Sequence, residues 1–374
     1  MLTTLKRSER ITLVVGVVAT IAAGIARYGD ASAVLAFVLA AIALAALASI
    51  VSFATEQVGE RFGPAVTGFL QSTLGNLPEF FIVIFALHSG QVVVAQTSII
   101  GSLFANALLV LGAVILVGAS TADDGVMRFK SRLPNDTATL LLVASFIIVV
   151  VGIAVQDGQK AAEHVKSFSA VAAIALLAVY ATWAWGYLRS DGPRPEVAAA
   201  GGAAAGGEGA AGAAGEGHGA RAGVPLALSV TLLAVAGAGA AFTSDWFIHA
   251  LEPAIKSIDI SQAFAGLVIV AIAGNAVENV AGLVLARKGQ SDLSISVVKN
   301  SVAQVAAFLF PALVLVSLLF ADPLTFALNP VYIGAIALTA LSVWQITGDG
   351  EATHFEGVAL IALYVVLGTY AYLE

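Results

Sequence analysis

The sequence predicts an all-α polytopic membrane protein. Of its 374 residues, 59% are hydrophobic and only 11% are charged. Soluble domains carry about 25% charged residues, so this composition does not suit a fold surrounded by water. The apolar residues also fall in runs of about 20, the length that an α-helix needs to cross roughly 30 Å of hydrocarbon. Both observations indicate a bundle of helices within a lipid bilayer.

Eleven apolar runs are predicted to be transmembrane helices. The runs cover residues 11–27, 31–54, 64–88, 92–118, 138–156, 166–188, 224–243, 262–287, 293–320, 326–346 and 354–373. The segment 190–223 differs from the other connections, because it is rich in Gly and Ala and has few large side chains that could pack. We therefore expect a flexible cytoplasmic linker there.

This linker divides the chain into two similar blocks. Residues 1–30 hold one extra helix, residues 31–189 a first block of five helices, and residues 224–374 a second block of five. Because five is odd, the second block enters the membrane with the opposite polarity. We therefore expect two inverted five-helix repeats, an arrangement that many secondary transporters share.

The distribution of Lys and Arg predicts the orientation. With the N-terminus inside, twelve of the 17 Lys and Arg lie on the cytoplasmic side, Lys299 lies within a helix, and four lie outside: Arg27, Lys160, Lys166 and Lys256. This excess agrees with the positive-inside rule. We expect a cytoplasmic N-terminus, an external C-terminus and, since no transit peptide is evident, a prokaryotic inner membrane.

Two polar interruptions lie in the middle of apolar spans. They are Gly75-Asn76-Leu77-Pro78-Glu79 and Gly274-Asn275-Ala276-Val277-Glu278, and both the Asn and the Glu positions are 199 residues apart (275 − 76 and 278 − 79). An acid within the hydrocarbon layer costs roughly 2.5–3.5 kcal/mol and is usually functional. The repetition at matching depth favours a paired site over two unrelated structural acids.

The residues around the two acids predict broken helices. Pro78 lacks a backbone N–H, so we expect the third helix to break one residue before Glu79. Gly75 and Gly274 tolerate the dihedral angles that a break demands. Freed carbonyl groups beside a carboxylate supply the oxygen ligands that hard metal cations prefer. Glu79 and Glu278 are therefore the candidate metal ligands.

The helices that follow the two interruptions carry further polar side chains. Ser102 and Asn106 lie on the fourth predicted helix, and Ser301 and Gln304 lie on the ninth. Their hydroxyl and amide oxygens are candidate neutral ligands for a cation. The same groups also make hydrogen bonds between helices in many bundles, so a packing role stays open for all four.

Both interruptions resemble the signatures of a known family. Thr55-Glu56 through Gly75-Asn76-Leu77-Pro78-Glu79, with the following Gly101-Ser102-Leu103-Phe104-Ala105-Asn106, resembles the first signature of the calcium/proton exchangers, in the calcium/cation antiporter superfamily. The second signature of the family is resembled by Gly274-Asn275-Ala276-Val277-Glu278 together with Ser301-Val302-Ala303-Gln304 and Pro311 of this chain. The resemblance implies that Glu79 and Glu278 bind cation and protons in turn, assisted by Asn106 and Gln304, with Asn76 and Asn275 at the helix breaks.

These observations predict a secondary antiporter that exchanges a cation for H⁺ by alternating access, and Ca²⁺ is the preferred candidate for that cation. Two buried glutamates near one another disfavour double ionisation, so they bind protons until a divalent cation displaces them. We expect no resident cofactor, and the partners are the lipid bilayer and the transported ions, with a homo-oligomer left open. The chain has no Cys, no His pair at metal spacing and no basic run, so neither an enzyme nor a nucleic-acid binder is expected.

Some residues depart from the family signatures and leave the substrate open. Leu77-Pro78 replaces the usual Ala-Thr or Ala-Val, and Lys299-Asn300 precedes Ser301. We interpret Lys299 as a residue whose ammonium group extends to the membrane surface. The alternative is that its charge modulates the site, which would favour a monovalent ion and hence a Na⁺(K⁺)/H⁺ antiporter. A passive cation channel is a third hypothesis.

Overall fold

The computed structural model describes residues 7–29, 31–59, 74–130, 132–158, 160–189 and 225–374. The predicted linker and residues 60–73 of the third predicted span lie outside these ranges. The helices are α1 (Arg7–Tyr28), α2 (Ala33–Gly59), α3 (Leu77–His88), α4 (Val92–Thr121), α5 (Arg132–Gln156), α6 (Val165–Arg189), α7 (Leu226–Ser257), α8 (Gln262–Gly274), α9 (Ala276–Arg287), α10 (Ser291–Ser317), α11 (Pro330–Thr347) and α12 (His354–Leu373).

Most of these helices have the length and composition of membrane spans. Within the described ranges nine helices are long and apolar enough to cross a bilayer, and α8 with α9 forms a tenth span that is bent by 61°. Helix α3 has 12 residues and is too short to span the membrane by itself. An eleventh span would need residues 60–73 to continue α3, so the predicted number of eleven stays a prediction.

Two predicted helix ends were wrong. Helix α7 continues to Ser257 instead of ending at residue 243, because Phe247, Leu251 and Ala254 extend its buried face at helical spacing. Helix α11 begins at Pro330 and not at residue 326. Asn329 caps it by accepting a hydrogen bond from the backbone N–H of Val331, and proline is well suited to the first helical position.

The prediction of a purely helical chain needs one small correction. Strand β1 (Val126–Arg128) pairs antiparallel with β2 (Glu351–Thr353) and joins the end of α4 to the start of α12. Arg128 contacts Glu351 across the pair at 3.1 Å and Asp124 within its own loop at 2.7 Å. The guanidinium group of Arg128 holds the pKa of Asp124 below its usual range.

The described helices belong to two compact units. Residues 1–82 with 187–257 make the first unit, and residues 83–186 with 258–374 make the second. Each unit therefore combines parts of both predicted sequence blocks. In the first unit α2 packs against α7, where the rings of Phe37 and Phe247 lie 4.6 Å apart.

Helix α4 is the most enclosed of the described spans, and it lies in the second unit. Of its most apolar stretch, 83% is buried. A Cβ atom at Gly101 would lie 2.6 Å from the Cα of Leu267, and one at Gly112 would lie 2.7 Å from the carbonyl oxygen of Gly357. These two glycines let the backbones of α8 and α12 approach α4 closely.

Contacts at the two ends of the second unit agree with helices that cross the membrane in alternating directions. At the end predicted to be cytoplasmic, Lys130 pairs with Asp292 at 3.5 Å. At the opposite end the side chain of Asn329 donates to Glu374 at 2.8 Å. Loops assigned to the same side by the sequence therefore meet each other. The absolute orientation stays a prediction.

Candidate cation site

The second interruption is a break between two helices, and it is centred on Asn275. Helix α8 ends at Gly274 and α9 begins at Ala276. The backbone N–H of Asn275 donates to the carbonyl of Ala271 at 3.2 Å, and its own carbonyl accepts from the N–H of Asn279 at 3.0 Å. One residue thus ends the first helix and begins the second. Gly274 itself stays helical.

The side chain of Asn275 is the centre of a buried hydrogen-bond network. Its Nδ2 group donates to Ser102 Oγ and to the Ala271 carbonyl, both at 2.9 Å. Its Oδ1 accepts from Asn106 Nδ2 at 2.9 Å, and the same Asn106 amide donates to Ser301 Oγ at 3.0 Å. We refer to Ser102, Asn106, Asn275 and Ser301 as the polar network. The network joins α4, the break and α10, and its four residues are buried.

Glu278 follows the network residue Asn275 by three positions, at the start of α9. It is the third residue of that helix, after Ala276 and Val277. A helix N-terminus carries a partial positive charge, which stabilises a nearby carboxylate by about 0.3–1 kcal/mol. The break therefore places an acid in the first turn of a helix, three residues after the central residue of the polar network.

The first interruption repeats this local geometry. Gly75 and Asn76 form a turn, α3 begins at Leu77, and the N–H of Phe80 donates to the carbonyl of Asn76 at 2.9 Å. Glu79 is again the third residue of its helix, and it is only 6% exposed. Asn76 and Glu79 belong to the first compact unit, whereas the polar network belongs to the second.

Of the residues predicted at the first break, Gly75 and Asn76 lie there, whereas the break expected at Pro78, one residue before Glu79, was wrong. The break falls at Gly75 and Asn76, and Pro78 lies inside the new helix as its second residue. The first four N–H groups of a helix have no partner within it, so the missing N–H of proline removes no hydrogen bond there. Pro78 supports the start of α3 and does not interrupt it.

Both amide residues of the following helices lie at a change of helix type, which sequence reasoning missed. Helix α4 becomes a π-helix over Ala105–Val110, directly at Asn106, and α10 becomes one over Val305–Leu309, directly after Gln304. Helix α8 has a third π segment over Ala265–Val270. Such segments occur frequently at functional sites. No residue type marks π segments in a sequence, and the available signal was an amide residue three or four positions after Ser102 and Ser301.

Lys299 does not extend to the membrane surface, so that prediction was wrong. Its side chain is 3% exposed, and its Nζ donates to Thr347 Oγ1 at the end of α11. The end of α11 encloses the ammonium group within the protein. Because two residues turn a helix by about 200°, Lys299 and Ser301 lie on different faces of α10.

Comparisons with known proteins agree with the signatures and the fold. A family model described as sodium/calcium exchanger protein matches residues 32–186 and 228–373. The chain is 28% identical to the Ca(2+)/H(+) antiporter of Aphanothece halophytica over 338 residues, which are 89% of this chain and 88% of the relative. It is 29% identical to the Ca(2+)/H(+) antiporter of a Synechocystis strain over 334 residues, 88% of this chain and 89% of the relative.

Solved structures share the fold. The structure of native YfkE has a TM-score of 0.75 and 23% identity, with 98% of this chain and 100% of that chain covered. The crystal structure of the H+/Ca2+ exchanger CAX has a TM-score of 0.70 and 16% identity, with 96% and 88% covered. The resemblance of the two signatures is thereby confirmed. The chain is an integral membrane protein of the sodium/calcium exchanger protein family.

Proposed function

We propose that this protein is a secondary antiporter that exchanges Ca²⁺ for H⁺, with Glu278 and Glu79 as the acids that bind cation or protons. The observation that carries the proposal is the polar network around the helix break at Asn275, three residues before Glu278. The names of the cyanobacterial relatives support the choice of ions.

The hydrogen bonds of the network orient the side-chain oxygens that could bind a cation. Both N–H bonds of the Asn106 amide are directed at Asn275 and Ser301, so its carbonyl oxygen is the atom that it can offer to a cation. Gln304 offers the same group and is buried on α10. The last carbonyls of α8 have no partner within that helix and add backbone oxygens. Ca²⁺ takes six to eight such oxygen ligands, so a set of carboxylates, amides and carbonyls suits it.

Competition between cation and protons couples the two fluxes. Two protons or one divalent cation each leave the pair of glutamates neutral, whereas the empty pair would carry two charges through a region of low dielectric constant. The transporter therefore changes its accessible side only when it is loaded. Alternating access would use the two inverted repeats, and the family model supports this because it matches one stretch in each predicted block.

The position of Lys299 favours Ca²⁺ over the alternative of Na⁺ or K⁺. A monovalent cation would be preferred if the ammonium group offset the charge of the two acids. Its Nζ instead donates to Thr347 of α11. Lys299 also lies on a different face of α10 from Ser301. A passive channel has no comparable support, because a channel does not need acids at matched helix breaks.

Proton movement in proteoliposomes tests the proposal. A pH gradient is imposed across vesicles that contain the wild-type protein, and Ca²⁺, Na⁺ or K⁺ is then added. Ca²⁺ alone should collapse the gradient, and Glu79→Gln and Glu278→Gln should abolish that response. Glu252→Gln is the matched control, since Glu252 lies partly exposed on α7 and pairs with Lys256. Collapse by Na⁺ or K⁺ instead would change the substrate, and full activity of either site variant would contradict the assignment.

We also infer a prokaryotic inner membrane with the N-terminus in the cytoplasm and the C-terminus outside. The excess of Lys and Arg in the predicted cytoplasmic loops supports this orientation. The bacterial origin of the relatives supports the type of membrane.

A further inference from the structure

Asn279 has a side-chain oxygen that the network described above does not use. Its Oδ1 is shielded from solvent and accepts no hydrogen bond from any residue in the described ranges. Native proteins rarely leave a shielded carbonyl oxygen without a donor or a cation, and each such atom calls for an explanation. The immediate neighbour of Asn279 is Glu278, the acid at the start of α9.

The surroundings of Asn279 can be located from its neighbours on the same face of α9. Asn275 lies one turn before it and Gly282 one turn after it, and residues at this spacing share a helix face. Asn275 contacts Asn106 of α4. A Cβ atom at Gly282 would lie 2.9 Å from Val298 Cγ2 of α10. The oxygen of Asn279 is therefore on the face of α9 that packs against α4 and α10, one turn from the polar network.

The position in the first half of the chain that corresponds to Asn279 is Phe80. The separation of 199 residues that relates Glu278 to Glu79 also relates Ser301 to Ser102, but it relates Asn279 to Phe80. A phenylalanine ring has no oxygen to offer a hard cation. The two halves therefore match in their acids and hydroxyl groups and differ at the residue after the acid.

We propose that Asn279 Oδ1 is a further ligand of the transported cation, supplied by the second half alone, and that it favours Ca²⁺ over Mg²⁺. The inference rests on the proposed function, since it concerns the same cation. Ca²⁺ accepts a high and flexible number of oxygen ligands, whereas Mg²⁺ requires near-octahedral geometry and keeps several of its waters. The additional amide oxygen of Asn279, next to Glu278 in the chain, thus stabilises bound Ca²⁺ more than bound Mg²⁺.

Two substitutions of similar size at residue 279 test this role. Asn279→Leu removes the oxygen, and Asn279→Asp keeps an oxygen and adds a charge. The control is Gln96→Leu. Gln96 also carries a side-chain amide, but it lies on α4, is none of the proposed ligands and contacts the Ala327 carbonyl at 3.4 Å.

The first readout is the Ca²⁺ dependence of proton movement in proteoliposomes, with Mg²⁺ as competitor. For Asn279→Leu we expect the KM for Ca²⁺ to rise about tenfold with kcat nearly unchanged, and the preference for Ca²⁺ over Mg²⁺ to fall by a similar factor. Asn279→Asp should lower the KM for Ca²⁺, and Gln96→Leu should resemble the wild type. A loss of kcat in both residue-279 variants, with KM and preference unchanged, would indicate a purely structural role and overturn the proposal.

The second readout is Ca²⁺ binding to the purified protein, measured as the rise of Tm with Ca²⁺ concentration, because a ligand that binds only the folded state raises Tm. Wild-type binding that weakens in Asn279→Leu, without any exchange for protons, would support this inference and contradict the proposed function. Normal exchange by the wild type together with unchanged binding in both residue-279 variants would contradict this inference alone. Absence of Ca²⁺ binding by the wild type would overturn both.

Discussion

The side-chain amides of Asn106 and Asn275 are hydrogen-bonded to each other at 2.9 Å, although 169 residues separate them in the sequence. Each comes from a different predicted block, the first from the π segment of α4 and the second from the break before α9. The bond fixes the orientation of both amides. It also connects a helix of the first block to the break beside Glu278.

The amide of Asn106 should be needed for both stability and transport. Replacing it in Asn106→Leu leaves Asn275 Oδ1 and Ser301 Oγ without their donor, and a buried group that loses its partner costs roughly 1–3 kcal/mol. We expect a lower Tm and a loss of proton movement driven by Ca²⁺. Gln96→Leu on the same helix is the control, because the contact of its amide within the described residues is a long one of 3.4 Å to Ala327. Equal effects of the two variants would contradict the importance of the network.

Gly101 should be intolerant of any side chain. In Gly101→Ala the new Cβ would meet the backbone of Leu267, which cannot move away as a flexible side chain could. Overpacking of this kind costs about 1–3 kcal/mol. Gly334→Ala on α11 is the control, since no atom of the described residues, apart from the adjoining backbone of its own helix, lies within 4 Å of its Cβ position. Alanine there should be neutral or stabilise the helix by about 0.5–1 kcal/mol. Thermal unfolding of both variants in detergent measures the difference.

Removing the partner of Lys299 should destabilise the protein more than removing Lys299 itself. Thr347→Val leaves a buried ammonium group without its hydroxyl acceptor, which costs about 1.5–3 kcal/mol for a hydrogen bond to a charged group. Lys299→Met replaces the charge with an apolar side chain of similar length, a change that is often neutral or stabilising at buried positions. Thermal unfolding of both variants and of the double variant decides the order. A larger loss in Lys299→Met would show that the ammonium group has additional favourable partners.

The predicted orientation can be measured by labelling single cysteines, because the chain contains none of its own. Asp124 and Asp322 are both exposed, in loops that the sequence assigns to opposite sides. With the N-terminus inside, an impermeant maleimide should label Asp322→Cys in intact cells and Asp124→Cys only in everted vesicles. The reverse pattern would invert the orientation and leave the fold unchanged. Labelling of both from one side would contradict the alternation of the helices.

The helical membrane fold could be predicted from the sequence, and two acids could be selected from it as candidate ligands. Apolar runs of sufficient length specify spans, since every backbone polar group within a bilayer must be bonded inside its own helix. Glu79 and Glu278 were identifiable because each is an acid within an apolar span and the Gly-Asn-x-x-Glu pattern occurs twice. These signals are local, and they do not depend on which helices pack together.

Other features could not be predicted, because they depend on neighbours that are distant in the chain. Lys299 was interpreted as a surface residue from its place near a helix end, and only the packing of α11 explains why Thr347 binds it instead. The role of Pro78 was mispredicted, because proline is compatible with the first turn of a helix as well as with its end.

The sequence alone thus determined that the chain crosses a membrane and that two matched acids interrupt its spans, because composition and local patterning decide both. The tertiary structure decided which polar groups surround Asn275, three residues before Glu278. Close approach of α4, α9 and α10 brings Asn106, Asn275 and Ser301 within hydrogen-bonding distance. Such a network forms only when helices pack at one rotation and depth, and no short stretch of sequence specifies that rotation.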